Sequence, residues 1–484
     1  MIKENLGADI TVIEKYFNIG AAETLNTLLI YINGLVDKKI IDSDVIKPLM
    51  HWVHEDLSNK ENIDEYLLRN CISLSAVYIE KDINRVIFAV RRGKTLLYTE
   101  YSKGYIILDT TGGNFRAVTE PLNETSIRGP RDAFVENLES NVSNIRRRIR
   151  DKNMEIEMFT VGRRSQTDVA MVYIKDIADD NLVKMVREHI QKVDVDRVTA
   201  SGVLQQYIER YSFSVFPQML GTERPDKAAA YLMDGKAVIL VDGTPTVIVA
   251  PSSFIDFFQA VEDYYERTIV TNFVRVLRII AIFLVITSSS IYLSLLKFNV
   301  ELIPVKFISP IIQSRTGIAL TPFMEILSME IIVEFLREGG LRLPTKIGQT
   351  LSVVGGIIIG DTAIRSKIVS PTTLLIVGVT VIATFLIPNY DMSLTIRFLR
   401  FPILILANFL GIFGIGIGWF FIIVHLCSID SFGVPYFTLK LKDMKDIFIR
   451  APLYDMKTRP EMVPHKDNVR QTAYRKKFRR KEAK

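Results

Sequence analysis

Charge is absent from three long stretches of this chain. From Phe401 to Ile429, from Ile279 to Leu296 and from Pro371 to Pro388 there is no Asp, Glu, Lys or Arg. At about 1.5 Å per helical residue, each run reaches or approaches the ~30 Å of a hydrocarbon core. A purely water-soluble protein is therefore excluded, although 484 residues with 24% charged and 48% apolar side chains would on average describe one. Two cysteines, Cys71 and Cys427, exclude a small disulfide-stapled module. Twenty-seven Phe and eighteen Tyr exclude disorder over most of the length.

The runs divide the chain. Residues 1–270 carry no apolar run of membrane length, and the start, MIKENLGADITVIEKYFNIG, lacks the basic and apolar regions of a signal peptide. The expected fold class is an α/β soluble N-terminal region of two small subdomains, followed by an α-helical transmembrane domain of four to six membrane segments. The expected boundaries are 1–150 and 151–270 for the two cytoplasmic subdomains, 271–436 for the membrane domain and 437–484 for a basic cytoplasmic tail. From Lys440 onward, fifteen Lys and Arg face six Asp and Glu, so the tail alone makes the chain basic at +6.

Alternation predicts strands at Leu74–Ile79, Arg85–Val90, Thr95–Tyr98 and Tyr105–Leu108. A loop rich in Thr, Gly and Asn leads to Gly129-Pro130 and a helix to about Arg150, with Pro130 at the first helical position and Asp132 at the positive helix end. The second unit reads as strands Met158–Val161 and Val169–Ile174, helix Ala178–Lys192, helix Pro225–Met233, and strands Ala237–Val241 and Thr246–Val249. No internal repeat is legible.

Four segments read as membrane helices: Ile279–Leu296, Ile347–Ile364, Pro371–Pro388 and Phe401–Cys427. Thr321–Leu336 is amphipathic, with Glu330, Glu334, Arg337 and Glu338 on one face and Glu325 on the apolar side. It reads as interfacial, re-entrant or lining a wet cavity. Arg267, Arg275, Arg278 and the basic tail place both ends on the cytoplasmic side, which requires an even number of crossings. Four fits best; six needs a further segment to cross.

Catalytic machinery is not legible, and no enzyme activity, cofactor, metal or nucleic-acid partner is expected. His51 and His54 match no zinc signature and read as a solvated helix face. Gly411, Gly414, Gly416 and Gly418 lie in an apolar run without strand–turn–helix context, so they suggest close packing or a hinge rather than a phosphate loop. His425 reads as a packed interior imidazole. Glu325 is the costly group: an intramembrane carboxylate must be paired, protonated or open to water. In Gly348–Ile364, the residues Gln349, Ser352, Gly356, Ile359 and Ala363 form a small or polar stripe with Asp361 near one end. A pore-lining helix needs such a stripe, with Ile359 placed to form an apolar gate; a tightly packed helix serves equally well.

The segment Glu120-Pro-Leu-Asn-Glu-Thr-Ser-Ile-Arg-Gly-Pro-Arg-Asp-Ala-Phe134, with Asn144-Ile-Arg-Arg-Arg-Ile149, resembles the GerA-type spore germination receptor A subunits of endospore-forming bacteria. Leu336-Arg-Glu-Gly-Gly-Leu-Arg-Leu-Pro344, Val354-Gly-Gly-Ile-Ile-Ile-Gly360, Ser431-Phe-Gly-Val-Pro-Tyr436 and Met456-Lys-Thr-Arg-Pro460 extend the resemblance. It implies a multi-pass protein of the spore inner membrane that senses nutrients with a transporter-like B subunit and a lipoprotein C subunit. It also implies a homo-oligomer, suspected to be a pentamer, that releases monovalent cations among membrane lipids. Within it, Gly129, Pro130, Arg131, Asp132, Phe134, Arg146, Arg147 and Arg148 form the motif expected to serve assembly or signalling. The alternatives are a non-conducting scaffold or signalling subunit, or an accessory ion-channel paralogue.

Overall fold

The computed structural model describes residues 6, 12–19, 25–53, 62–112, 121, 123–126, 128–342, 356, 360–438, 440 and 443–471. The first unit is built on strands β1 (Val12–Ile19), β2 (Leu25–Ile32), β3 (Val77–Glu80), β4 (Thr95–Thr99) and β5 (Tyr105–Leu108), in the order β1-β2-β4-β5-β3. Helical stretches at 38–51 and 63–71 cover one face through Val45, Leu49 and Leu67. Helix α1 (Ile83–Val90) covers the other through Val86, Ile87 and Val90. The segment expected as a strand at Arg85–Val90 is therefore a helix. The Asp82 carboxylate accepts from the Asn84 amide at 2.9 Å and caps it, and Val86, Ile87, Ala89 and Val90 fall on one buried helical face.

The second unit repeats this plan. Strands β6 (Met154–Val161), β7 (Thr167–Ile174), β8 (Leu220–Thr222), β9 (Ala237–Val241) and β10 (Val247–Ala250) lie in the order β6-β7-β9-β10-β8. In both sheets all neighbours are antiparallel and the spatial order is first, second, fourth, fifth, third. Two units of one topology thus follow each other without a repeat visible in the sequence. Period-2 alternation splits β9: Val238 and Leu240 face helices α2 (Leu138–Arg148) and α5 (Pro225–Met233). Ile239 and Val241 face α3 (Asp180–Gln191) and α4 (Ser201–Ile208). Each such side chain contributes roughly 1.5–3 kcal/mol by burial.

Helix α2 starts at Leu138, well after Pro130. Asn137 caps it by accepting from the Ser140 amide at 2.9 Å. The residues before it stay extended because the Asn141 side chain clasps Val135, accepting from its amide at 2.8 Å and donating to its carbonyl at 2.5 Å. The Phe134 amide donates across to Glu223 at 2.8 Å. Although α2 precedes the boundary expected near residue 150, its Val142 and Ile145 pack in the core of the second unit.

A short helix α6 (Glu262–Tyr265) leads into an apolar helical part: α7 (Thr268–Lys297), α8 (Val305–Arg315), α9 (Pro322–Leu341), α10 (Pro371–Thr384) and α11 (Tyr390–Ser428). By length and composition α7 and α11 can cross a membrane, while α10 is apolar but has 14 residues. Of the expected span Ile347–Ile364, only 356 and 360–364 are described. The expected single span Phe401–Cys427 is interrupted: at Gly411 the backbone turns to φ 62°, ψ −140°, and the chain reverses. A Cβ on Gly414 would overlap the Leu406 carbonyl, and one on Gly418 would lie 2.9 Å from Ile403. The legs 390–410 and 412–428 are therefore antiparallel. Thr395 of the first donates to the Val215 carbonyl at 2.5 Å, and His425 of the second bonds Ser214 at 2.9 Å. Both legs thus return to one loop of the soluble region, and His425 is a contact to that loop rather than an interior packing group.

Gly411 occupies a backbone region reserved for glycine, and the Phe298 ring would sit 3.0 Å from an added Cβ. Gly411→Ala should destabilise the protein by about 1–3 kcal/mol. Gly416→Ala, in a position with open space, should be near neutral. Thermal unfolding of the detergent-solubilised variants checks the difference.

Candidate functional site

Successive residues of a helix point about 100° apart, and α6 uses all four of its directions. Glu262 accepts from Arg224 at 2.7 Å. Tyr265 donates to Asp226 at 2.7 Å, while Arg224 grips the same Asp226 through two bonds of 3.0 and 2.8 Å. Tyr264 donates to Asp446 at 2.7 Å. Asp263 accepts from Arg275 at 3.1 Å and Arg278 at 2.6 Å, both on the first turns of α7. Arg275 also reaches the carbonyl and carboxylate of Asp446 at 2.6 and 3.0 Å, and Arg450 donates to the Asp263 carbonyl. Arg224, Asp263 and Arg275 are each under 5% exposed. Buried ion pairs add little over apolar packing, but losing one partner strands the other and costs 3–5 kcal/mol, so they fix geometry. Here they fix α7 to the second α/β unit and to residues 443–450.

The motif segment wraps this hub. Gly129, at φ +125°, lies against the Tyr265 ring, which would be 2.6 Å from any Cβ there. Asp132 accepts two bonds from Arg148 at 2.6 and 2.7 Å instead of capping a helix. Phe134 is fully buried, Pro130 and Arg131 are exposed, and Arg147 is half-buried. Arg146 is buried, and desolvation pushes its guanidinium down to about 10. Upstream, Glu124 accepts from Lys227 at 2.7 Å and from Thr222 and the Glu223 amide. Burial pushes the Glu124 carboxyl up, but Lys227 and these donors outweigh it and hold it below its ordinary 4.5.

A second ionic cluster lies among the apolar helices. Glu325, fully buried, pairs with Arg315 of α8 and accepts from the Ser370 amide at 2.7 Å. Glu330 and Glu334 both bind Arg400 of α11, at 2.5 and 2.6 Å, and Glu330 accepts from Ser289 of α7 at 2.7 Å. Arg397 adds a contact to Glu334 at 3.4 Å. Glu330 and Glu334 of the charged face of α9 therefore turn inward onto arginines, while Glu338 at its end stays exposed beside Arg342. Sequence reasoning missed Arg315, Arg397 and Arg400; the signal was two arginines three residues apart just ahead of the charge-free run. It also missed the hub, whose signal was the compact block Glu262-Asp-Tyr-Tyr-Glu266.

Only part of the expected pore stripe falls within the described residues. Gln349, Ser352 and Ile359 lie outside the described residues. Gly356 and Asp361 are exposed, and Asp361 pairs with Arg365 at 2.8 Å. Ala363 is half-buried against Met329, Val369 and Val377. Among the described residues no group of three His, Cys, Asp or Glu could hold a metal ion.

Two outcomes test the hub and its wrapping. Asp263→Asn leaves Arg275 and Arg278 without their shared anion, and unfolding in detergent should show a loss of about 3–5 kcal/mol. The stability from Glu124 is fully present above pH 4.5 and is lost as pH falls through its lower folded-state value. Glu124→Gln should accordingly flatten the fall of melting temperature below pH 4.5, measured against the parent protein.

Residues 1–462 match the family model described as Bacillus/Clostridium GerA spore germination protein. Spore germination protein KA of Bacillus subtilis (strain 168) is 36% identical over 473 residues, covering 97% of this chain and 86% of that protein. GerLA of Bacillus cereus, also a spore germination protein, is 34% identical over 474 residues, covering 97% and 95%. Among solved structures, the N-terminal domain of the A subunit of the Bacillus megaterium spore germinant receptor GerK3 aligns at 28% identity. That alignment has a TM-score of 0.41 and covers 52% of this chain and 92% of the domain. Matched along almost its whole length, the chain belongs to the GerA family of spore germination proteins.

Proposed function

We propose that this protein is the A subunit of a nutrient-responsive germinant receptor in the spore inner membrane, acting with a transporter-like B subunit and a lipoprotein C subunit. Copies of it assemble into an oligomer, a pentamer on the family resemblance, that releases monovalent cations. The observation that carries this reading is the hub. Buried ion pairs on α6 join the second α/β unit, the foot of α7 and residues 443–450, so rearrangement of that unit bears directly on an apolar helix.

A lipid surround is supported by Phe409, Phe413, Phe420 and Phe421 of α11, each more than 60% exposed. On this reading the helices cross six times. Starting at the soluble region, α7 runs outward, ending where Lys297 bonds Asn408 and Phe298 meets Gly411. Helix α9 returns: Glu325 lies beside Arg315, and Arg337 bonds Thr384 at 2.9 Å near the start of α11. The chain must then lead out again between α9 and α10, α10 leads back, and the two legs of α11 complete an even number. The basic tail then lies on the cytoplasmic side.

A non-conducting scaffold is favoured by one observation, the pairing of Asp361 with Arg365, which neutralises the acid at the proposed pore mouth. Cation flux separates the two. With partner subunits in potassium-loaded liposomes, Ile359→Ala should leak without nutrient and Ile359→Phe should stay closed. Absence of leak from Ile359→Ala at normal protein abundance would remove the pore role from this segment.

A further inference from the structure

Beside the hub lies a cavity of about 500 Å³, between α5, α6 and the C-terminal segment 443–470. Tyr231, Tyr264, Met456 and Met462 supply apolar wall, and Asp234 and Asp446 supply charge. Its size is that of a small-molecule site, and its apolar walls alternate with charged side chains that are mostly paired with one another.

The lining charges are largely spoken for. Asp226 is held by Arg224 and Tyr265, Lys236 by Asp256 at 2.6 Å, and Lys227 by Glu124. Arg459 donates to the Met233 carbonyl, closing the end of α5, and to Asp467. Asp443 accepts from the amides of Glu461 and Met462, both at 2.9 Å. Asp446 is shared by Arg275 and Tyr264. Lys445, Asp455 and Lys457 are exposed. Asp234 stands apart. Its Oδ1 is buried without a hydrogen bond, and the guanidinium of Arg470 stays 3.9 Å away. Burial raises its carboxyl above the ordinary value. A buried acceptor left unbonded is costly, so a donor with positive charge gains most there.

We propose that this cavity binds a small amphiphilic ammonium ion, its charged head on Asp234 and its apolar body against Met456, Met462 and the tyrosine rings. An anion would face the unbonded Oδ1 of Asp234. A neutral guest would leave that oxygen with only the distant Arg470, and among the described residues no group of three His, Cys, Asp or Glu could hold a metal there. The aromatic wall already accepts cations: Lys236 lies 4.3 Å from the Tyr231 ring centre and Arg275 lies 5.8 Å from that of Tyr264. The site does not depend on cation release, because its lining belongs to the second α/β unit, α6 and the C-terminal segment.

The test uses the full chain in detergent, with butylammonium, butanol and butyrate titrated by calorimetry and thermal shift. Butylammonium should bind saturably at millimolar concentration and raise the melting temperature, while butanol and butyrate should not. Asp234→Asn should weaken butylammonium at least about tenfold, and Asp196→Asn, exposed and outside the cavity lining, should leave it unchanged. Equal binding of butanol, undiminished affinity in Asp234→Asn, or no saturable butylammonium binding would overturn the proposal. Should Asp234→Asn not fold, Met462→Trp takes its place by filling the cavity from the apolar wall. Lost binding at a retained melting temperature supports the site, and unchanged affinity overturns it.

Discussion

Asp263 is a carboxylate with 3% exposure, and two guanidinium groups of α7 depend on it while a third, from Arg450, rests on its carbonyl. Arg275 and Arg278 sit at the foot of a 30-residue apolar helix, where free guanidinium groups would need water. Asp263 replaces that water and, in doing so, sets how α7 leaves the second α/β unit. Asp446 and Arg450 add the C-terminal segment to the same joint. The three parts of the chain thus meet at one short helix, and the signature segment around Gly129 and Asp132 packs onto it from the other side.

The apolar helices obey the same logic with higher stakes. In a low-dielectric surround a lone carboxylate or guanidinium is prohibitive, so Glu325, Glu330 and Glu334 each face an arginine from a different helix. Such pairs contribute more to register than to net stability. They dictate which turn of α9 lies beside which turn of α11, and Ser289 adds α7. Helices held by such a lattice have few alternative alignments.

The two sheets share one strand order although their sequences show no repeat. Strand order is set by which segments pair and where helices cover the faces, and many side-chain sets satisfy that. Alternating Val, Ile and Leu on β9 and β10 serve the second unit, while Leu29, Leu97 and Ile106 serve the first. The helix at Ile83–Val90 shows the limit of local reading. Its eight residues are β-branched enough to suggest a strand, and only the cap by Asp82 with burial of one helical face settles it.

What the sequence by itself determined is what depends on composition and short-range period. That covers the soluble and apolar regions, four of the five strands of the second unit, helix Pro225–Met233, the special character of Gly411 and the need of Glu325 for a partner. Membership of the germination family was legible too, because its motif residues are contiguous. Tertiary structure alone decided where charges go. That Arg400 answers Glu330, that Asp132 answers Arg148 rather than a helix end, and that Asp263 gathers α7 are contacts between residues 12 to 70 positions apart. It also decided that the run Phe401–Cys427 reverses at Gly411, since apolar composition measures the length of a helix and not its direction. An ion pair needs only proximity, and proximity across the chain is a property of the whole fold.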